Sequence, residues 1–236
     1  VLDRLIARRY ELANLLGYKT WADHVTEDKM IRNAARVSKF IDRVSALTVA
    51  ASKKEYEIFL KRKREDDPTA AAVENWEYAY YSNLIKKRDY DFDSRAARPY
   101  FPFKQVKQGV MDVTSRIFGV AFKRIENAAV WHPPVDAYEA WDGDRLIGRF
   151  FLDLHPRPGK FNHAAQFTIR QGCAGHQLPE AALVCNFPGS DPDDPGLMEH
   201  QDVETFFHEF GHLLHTLFAG GQRWEPLAGI STEWDF

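Results

Sequence analysis

The sequence predicts a mainly α-helical protein with a small antiparallel β-sheet placed directly before one last helix. Three observations predict it. Apolar residues recur at three- and four-residue intervals through the first half. From Val120 the pattern changes to short apolar runs separated by Gly, Pro and Asp, and from about Gln201 the helical period returns. Residues 1–119 therefore read as a helical region, 120–196 as the sheet with its loops, and 197–236 as a helix and the loop after it. All three are expected to form one continuous domain.

Leu2, Leu5, Ile6, Tyr10, Leu12 and Ala13 make one stripe of a first helix, which Gly17 ends. Thr20-Trp21-Ala22-Asp23 starts a short second helix. Over 33–64, Val37, Phe40, Ile41, Val44, Leu47 and Ala51 share one face, and Asp66-Asp67-Pro68 stops the run. The basic stretch Lys61-Arg62-Lys63-Arg64 is flanked by acids and reads as the solvated end of that helix. A helix over about 71–87 carries Trp76, Tyr78, Tyr80 and Tyr81, read as core-packing aromatics. Pro99-Tyr100-Phe101-Pro102 marks a bend, and Val106, Val110, Val113 and Ile117 define a further helix closed by Gly119. Residues 120–125 then read as a strand. Residues 135–141 and 145–155 read as a hairpin around Asp142-Gly143-Asp144. Two more short strands are expected at 164–170 and 181–187, and the Pro-, Gly- and Asp-rich loop 188–196 is irregular.

The bulk numbers exclude several functions. Of 236 residues, 44% are hydrophobic, 28% charged and 14% aromatic, the balance of a folded globular chain rather than a disordered one. A net charge of -3 offers no electrostatic case for nucleic acid or an anionic membrane surface. No stretch is long and apolar enough to cross a bilayer. Cys173 and Cys185 are too few for a disulfide framework and fit a reducing compartment. Val1 stands inside a running helix with no initiator Met, so the chain reads as a fragment whose start, with any targeting signal, lies upstream.

The chemistry is concentrated in His208-Glu209-Phe210-Gly211-His212. Residues four apart share one face of a helix, so His208 and His212 can aim two imidazoles at one metal ion. Neutral imidazole suits zinc, whose catalytic sites take three protein ligands and leave one position open. Glu209, next to the first ligand, can lean over that position and take a proton from water there. Zinc lowers the pKa of such a water and polarises a scissile carbonyl. The apolar neighbours Val203, Phe206, Phe207, Phe210, Leu213 and Leu214 sharpen the reading, because burying two histidines and a glutamate without a partner is costly. The bland alternative is a satisfied core histidine pair with no metal. His215 is near the same face, but the helix rise carries it away from an ion centred on the other two, so a supporting or packing role is expected. After the motif only Glu225, Glu233 and Asp235 are acidic. For His132, His155, His163 and His200 the expectation is packing or loop hydrogen bonding.

Residues 202–215 resemble the thimet oligopeptidase, oligopeptidase A and peptidyl-dipeptidase family of zinc metallopeptidases. The resemblance extends to Leu15-Leu16-Gly17-Tyr18, Pro99-Tyr100-Phe101, Val130-Trp131-His132-Pro133, Asp153-Leu154-His155-Pro156-Arg157-Pro158-Gly159-Lys160 and Val184-Cys185-Asn186-Phe187, so it covers nearly the whole chain. It implies a mostly helical, two-lobed zincin-type peptidase with a deep channel, a sheet beside the zinc and a preference for short peptides. It implies His208 and His212 as zinc ligands and Glu209 as the catalytic base. The family's third ligand is a glutamate two positions after an Asp-Phe pair. Asp235-Phe236 matches that pair, which puts the ligand beyond Phe236 and leaves Glu233 without a match. Residues 181–187, with Val184, Cys185, Asn186 and Phe187, are the candidate strand for the substrate backbone, since peptides pair with exposed sheet edges; an interior packing strand is the alternative. The expected function is hydrolysis of short peptides with one Zn2+ per active site, as endopeptidase or dipeptide-releasing enzyme. An incomplete fragment that only binds peptide or zinc is the competing reading. No nucleic-acid, membrane or protein partner is implied, and the cytoplasm is the expected compartment.

Overall fold

A computed structural model describes residues 1–91, 93–189, 191 and 193–229. Its contacts divide the chain into two units: Val1–Asp91, and a second whose described residues run from 93 to 229.

The first unit is helical, with α1 (Leu2–Leu15), α2 (Trp21–Thr26), α3 (Ala34–Asp66) and α4 (Tyr78–Tyr90). Side-chain caps start two of them. Thr20 Oγ1 accepts from the Asp23 N–H at 3.1 Å, and Asn33 Oδ1 accepts from the Arg36 N–H at 3.0 Å. The last part of α3 meets α4 and the segment before it. There Lys63 pairs with Glu77 at 2.6 Å, Phe59 stacks on Tyr78, and the Val73 N–H donates to Tyr56 Oη. Two expectations change. The helix expected from residue 71 begins later, with a 3-10 turn at Asn75–Glu77, because Glu74 and Glu77 form a capping box there. Of its four aromatics only Tyr81 is buried, while Trp76, Tyr78 and Tyr80 are exposed.

In the second unit, α5 (Ser94–Ala97) and α6 (Phe103–Phe118) lead into β1 (Val120–Arg124), β2 (Asp136–Asp142), β3 (Arg145–Asp153), β4 (Ala165–Arg170) and β5 (Glu180–Val184), and α7 (His200–Ala219) follows. The strand order is β1-β2-β3-β5-β4. β2 and β3 form the expected hairpin, in which Asp142 faces Arg145 and Gly143 takes the left-handed φ of 58° that the tight turn requires. The sheet is mixed, which corrects the antiparallel expectation. After β3 the chain passes β4 to the outer edge and returns to insert β5 between β3 and β4, so β5 runs parallel to β3.

One core joins these elements. Phe150 and Leu152 of β3, Ala181 and Leu183 of β5, Val106 and Val110 of α6, and Phe206, Phe210, Leu213 and Leu217 of α7 belong to a single buried cluster. The α7 members recur with helical spacing and form its inward stripe. Full burial of each large side chain contributes about 1.5–3 kcal/mol. The sheet thus fixes which face of α7 turns inward, and with it which residues turn out.

Candidate functional site on the outer face of the last helix

With Phe206, Phe210, Leu213 and Leu217 turned onto the sheet, His208 is left exposed and His212 half-buried on the other side. Their Nε2 atoms approach to 3.1 Å. Two imidazole nitrogens this close share at most one proton between them, whereas a cation can take both lone pairs. Two ligands at 2.0–2.1 Å from a tetrahedral zinc stand about 3.3 Å apart, so the observed spacing fits a chelating pair. Among the described residues no group of three or more His, Cys, Asp or Glu converges, so Glu225 does not join them. Glu233 and Asp235 lie outside the described residues. His215, one turn further on, is exposed.

Glu209 projects about 100° around the helix from His208, towards the sheet edge. It is half-buried, and its Oε2 accepts the main-chain N–H of Gln166 in β4 at 3.0 Å. Nothing in the side-chain pattern points to this partner, because the donor is backbone. The alternation of polar Gln166 and Thr168 with apolar Phe167 and Ile169 marks β4 as a strand, but it does not say which face is covered, since Phe167, Thr168 and Ile169 are all exposed.

The strand expected to receive substrate has no free edge. β5 pairs with β3 on one side and β4 on the other, and the pairing continues past its end as the Cys185 and Phe187 N–H groups donate to Asp153 O and Leu154 O. Cys185 and Phe187 are buried, Val184 is half-buried, and Asn186 donates to Phe161 O. Burial, with the negative charge of Glu209 adding to it, pushes the Cys185 thiol up to about 12, so it is neither a nucleophile nor a thiolate ligand at neutral pH. β4 is an edge strand, as is β1 on the opposite side of the sheet.

A second polar cluster lies beside the site and carries the segment 153–160. Asp153, 4% exposed, accepts from Arg157 at 2.6 and 2.8 Å and from Trp131 Nε1 at 2.8 Å, and pairs with Lys160 at 2.9 Å. Burial alone would raise this carboxyl, but the bonds from Arg157, Trp131 and Lys160 outweigh it and hold Asp153 well below the usual carboxylate range. Lys160 also donates to the carbonyls of Asp153, His155 and Cys185, tying the loop after β3 to the end of β5. Of the histidines expected to pack or to bond loops, His155 is half-buried and His163 and His200 are exposed. His155 contacts Phe187 O and Phe103, His163 lies against Phe161, and His200 lies against Phe101 and Glu204. The buried Nδ1 of His132 meets no hydrogen-bond partner among the described residues. A cleft of about 720 Å³ opens at the far end of α7, around Leu217 and Gly220, and neither His208 nor His212 lines it.

The model of peptidase family M3 matches residues 1–236. The chain belongs to peptidase family M3. It is 30% identical to a thimet-like oligopeptidase of Dictyostelium discoideum over 100% of the chain and 37% of that protein. It is 32% identical to saccharolysin of Saccharomyces cerevisiae and 34% identical to oligopeptidase A of Escherichia coli, in each case over 100% of the chain and 35% of the relative. The chain therefore spans little more than a third of the length of these M3 relatives. No helix among the described residues of this M3 chain is long and apolar enough to cross a membrane.

Proposed function

We propose that the protein is a zinc metallopeptidase that hydrolyses short peptides, with His208 and His212 as metal ligands and Glu209 as general base. The observation that carries this reading is the approach of the two Nε2 atoms to 3.1 Å on the solvent side of a helix whose other side is core. A bound zinc supplies Lewis-acid polarisation of the scissile carbonyl and of the attacking water. The two imidazoles hold the ion in their neutral form. The Glu209 carboxylate takes a proton from the water and returns it to the departing amine. The substrate main chain is assigned to the outer edge of β4 beyond Gln166, whose own outward N–H is taken by Glu209, and an extended peptide adds there as a further strand. The cytoplasm is the proposed compartment, on the strength of two free cysteines. Cell fractionation that recovers the protein elsewhere overturns that assignment.

Glu209→Gln tests the proposal directly. The expected result is retention of bound zinc with a fall in peptide turnover of about 10²–10⁴-fold. His208→Ala and His212→Ala should each lose the zinc. Turnover by Glu209→Gln close to the native rate would remove the base, and zinc retained in both histidine variants would remove the ligand assignment.

A further inference from the structure

We propose that the main-chain amide of Gln166 is the positioning group for Glu209, holding Oε2 and leaving Oε1 for the proton transfer. The inference rests on the reading of Glu209 as the proton acceptor. Its basis is geometric. β4 has a neighbour on one side only, so alternate N–H groups along it have no strand to pair with. The Gln166 N–H is turned outward and is met by Glu209 Oε2 at 3.0 Å, and no other hydrogen bond reaches Glu209 among the described residues. A backbone donor to a carboxylate makes one of the stronger kinds of hydrogen bond. Both residues are half-buried, which limits competition from water.

The amide is held where it is by the core beneath it. Gln166 stands opposite Leu183 of β5, which is fully buried against the inward stripe of α7. The far end of β4 is fastened to the same helix. A Cβ built on Gly172 would stand 2.2 Å from Gly220 Cα, and Gly220 in turn closes on Pro179, which leads into β5. The strand edge and the helix therefore touch at two points about one strand length apart, and Glu209 is aimed by the first of them. A general base needs this kind of restraint, because proton transfer depends on holding the carboxylate within hydrogen-bond reach of its target.

Amide hydrogen exchange, followed by NMR on the 236-residue chain, tests the hydrogen bond without any turnover. In Glu209→Ala the Gln166 N–H should exchange about tenfold faster or more, given the strength of bonds to charged acceptors, while Leu183 keeps its native rate. Glu209→Gln, which retains an acceptor oxygen, should give an intermediate rate. An unchanged Gln166 rate in Glu209→Ala overturns the proposal. Kinetics on the zinc-loaded protein supply the second reading. Gln166→Pro removes the N–H at an edge position that tolerates proline, and should lower kcat about tenfold with zinc content retained and KM changed less than about twofold. A variant with native kcat overturns the positioning role. Native protein that turns over no peptide, with the exchange result intact, would defeat the peptidase reading and leave the hydrogen bond standing.

Discussion

Helices α3 and α7 carry equally regular apolar stripes and meet opposite fates. In α7, Phe206, Phe210, Leu213 and Leu217 are at most 1% exposed. In α3, Phe40, Ile41, Val44 and Leu47 are 42–71% exposed, and the helix buries no residue along its 33. Hydrophobic period is not what separates them. α7 has a sheet to lie on, whereas α3 meets α4 only along its last part. A stripe specifies a face, and burial needs a second surface opposite it. The lesson extends to the site. Because one side of α7 is anchored so completely, the other side can carry two imidazoles and a carboxylate in fixed directions.

The contrast can be broken by mutation, and the expected effects are graded. Phe210→Ala should be the most damaging, costing about 3–5 kcal/mol in a denaturant titration because it empties the contact between α7 and the sheet. Asp153→Asn should follow at about 3 kcal/mol near neutral pH, since it removes the buried partner of Arg157 and Lys160. That contribution has a definite pH window. The folded pKa of Asp153 lies below its unfolded value, so the stabilisation is complete above the unfolded value and is lost as pH falls below about 4. The gap between native protein and Asp153→Asn should therefore narrow in acid, and a gap that widens would refute the assignment. Gly172→Ala should cost about 1–3 kcal/mol, because the new methyl meets the Gly220 backbone rather than a movable side chain. Phe40→Ser should be the mildest, within about 0.5 kcal/mol, as befits an exposed position. A cost for Phe40→Ser near that of Phe210→Ala would show the α3 stripe to be covered in solution, and the comparison would collapse.

Much of the fold was legible because it is local. The caps at Thr20 and Asn33, the Gly143 turn and the places of the five strands follow from residues within a few positions of one another. The face shared by His208 and His212 was equally legible, since four residues make about one helical turn. The aromatic cluster was misjudged because period and composition do not say what stands opposite: Trp76 and Tyr81 look alike in sequence and differ in exposure by 80% against 7%. Strand order was illegible for a related reason. Nothing in residues 164–187 distinguishes the strand that will sit inside from the one that will sit at the edge.

The sequence by itself determined the helical spacing of the motif, the membership of family M3 and the chemistry those side chains can perform, all of which are carried by residue type at short range. Only the tertiary structure decided that β5 is enclosed and β4 at an edge, that Asp153 gathers Arg157, Trp131 and Lys160, and that Glu209 meets the Gln166 amide. Each of these depends on segments that fold back from a distance, and the last depends on a main-chain N–H that every residue except proline possesses. Its identity is set by where the strand lies and not by which side chain it bears.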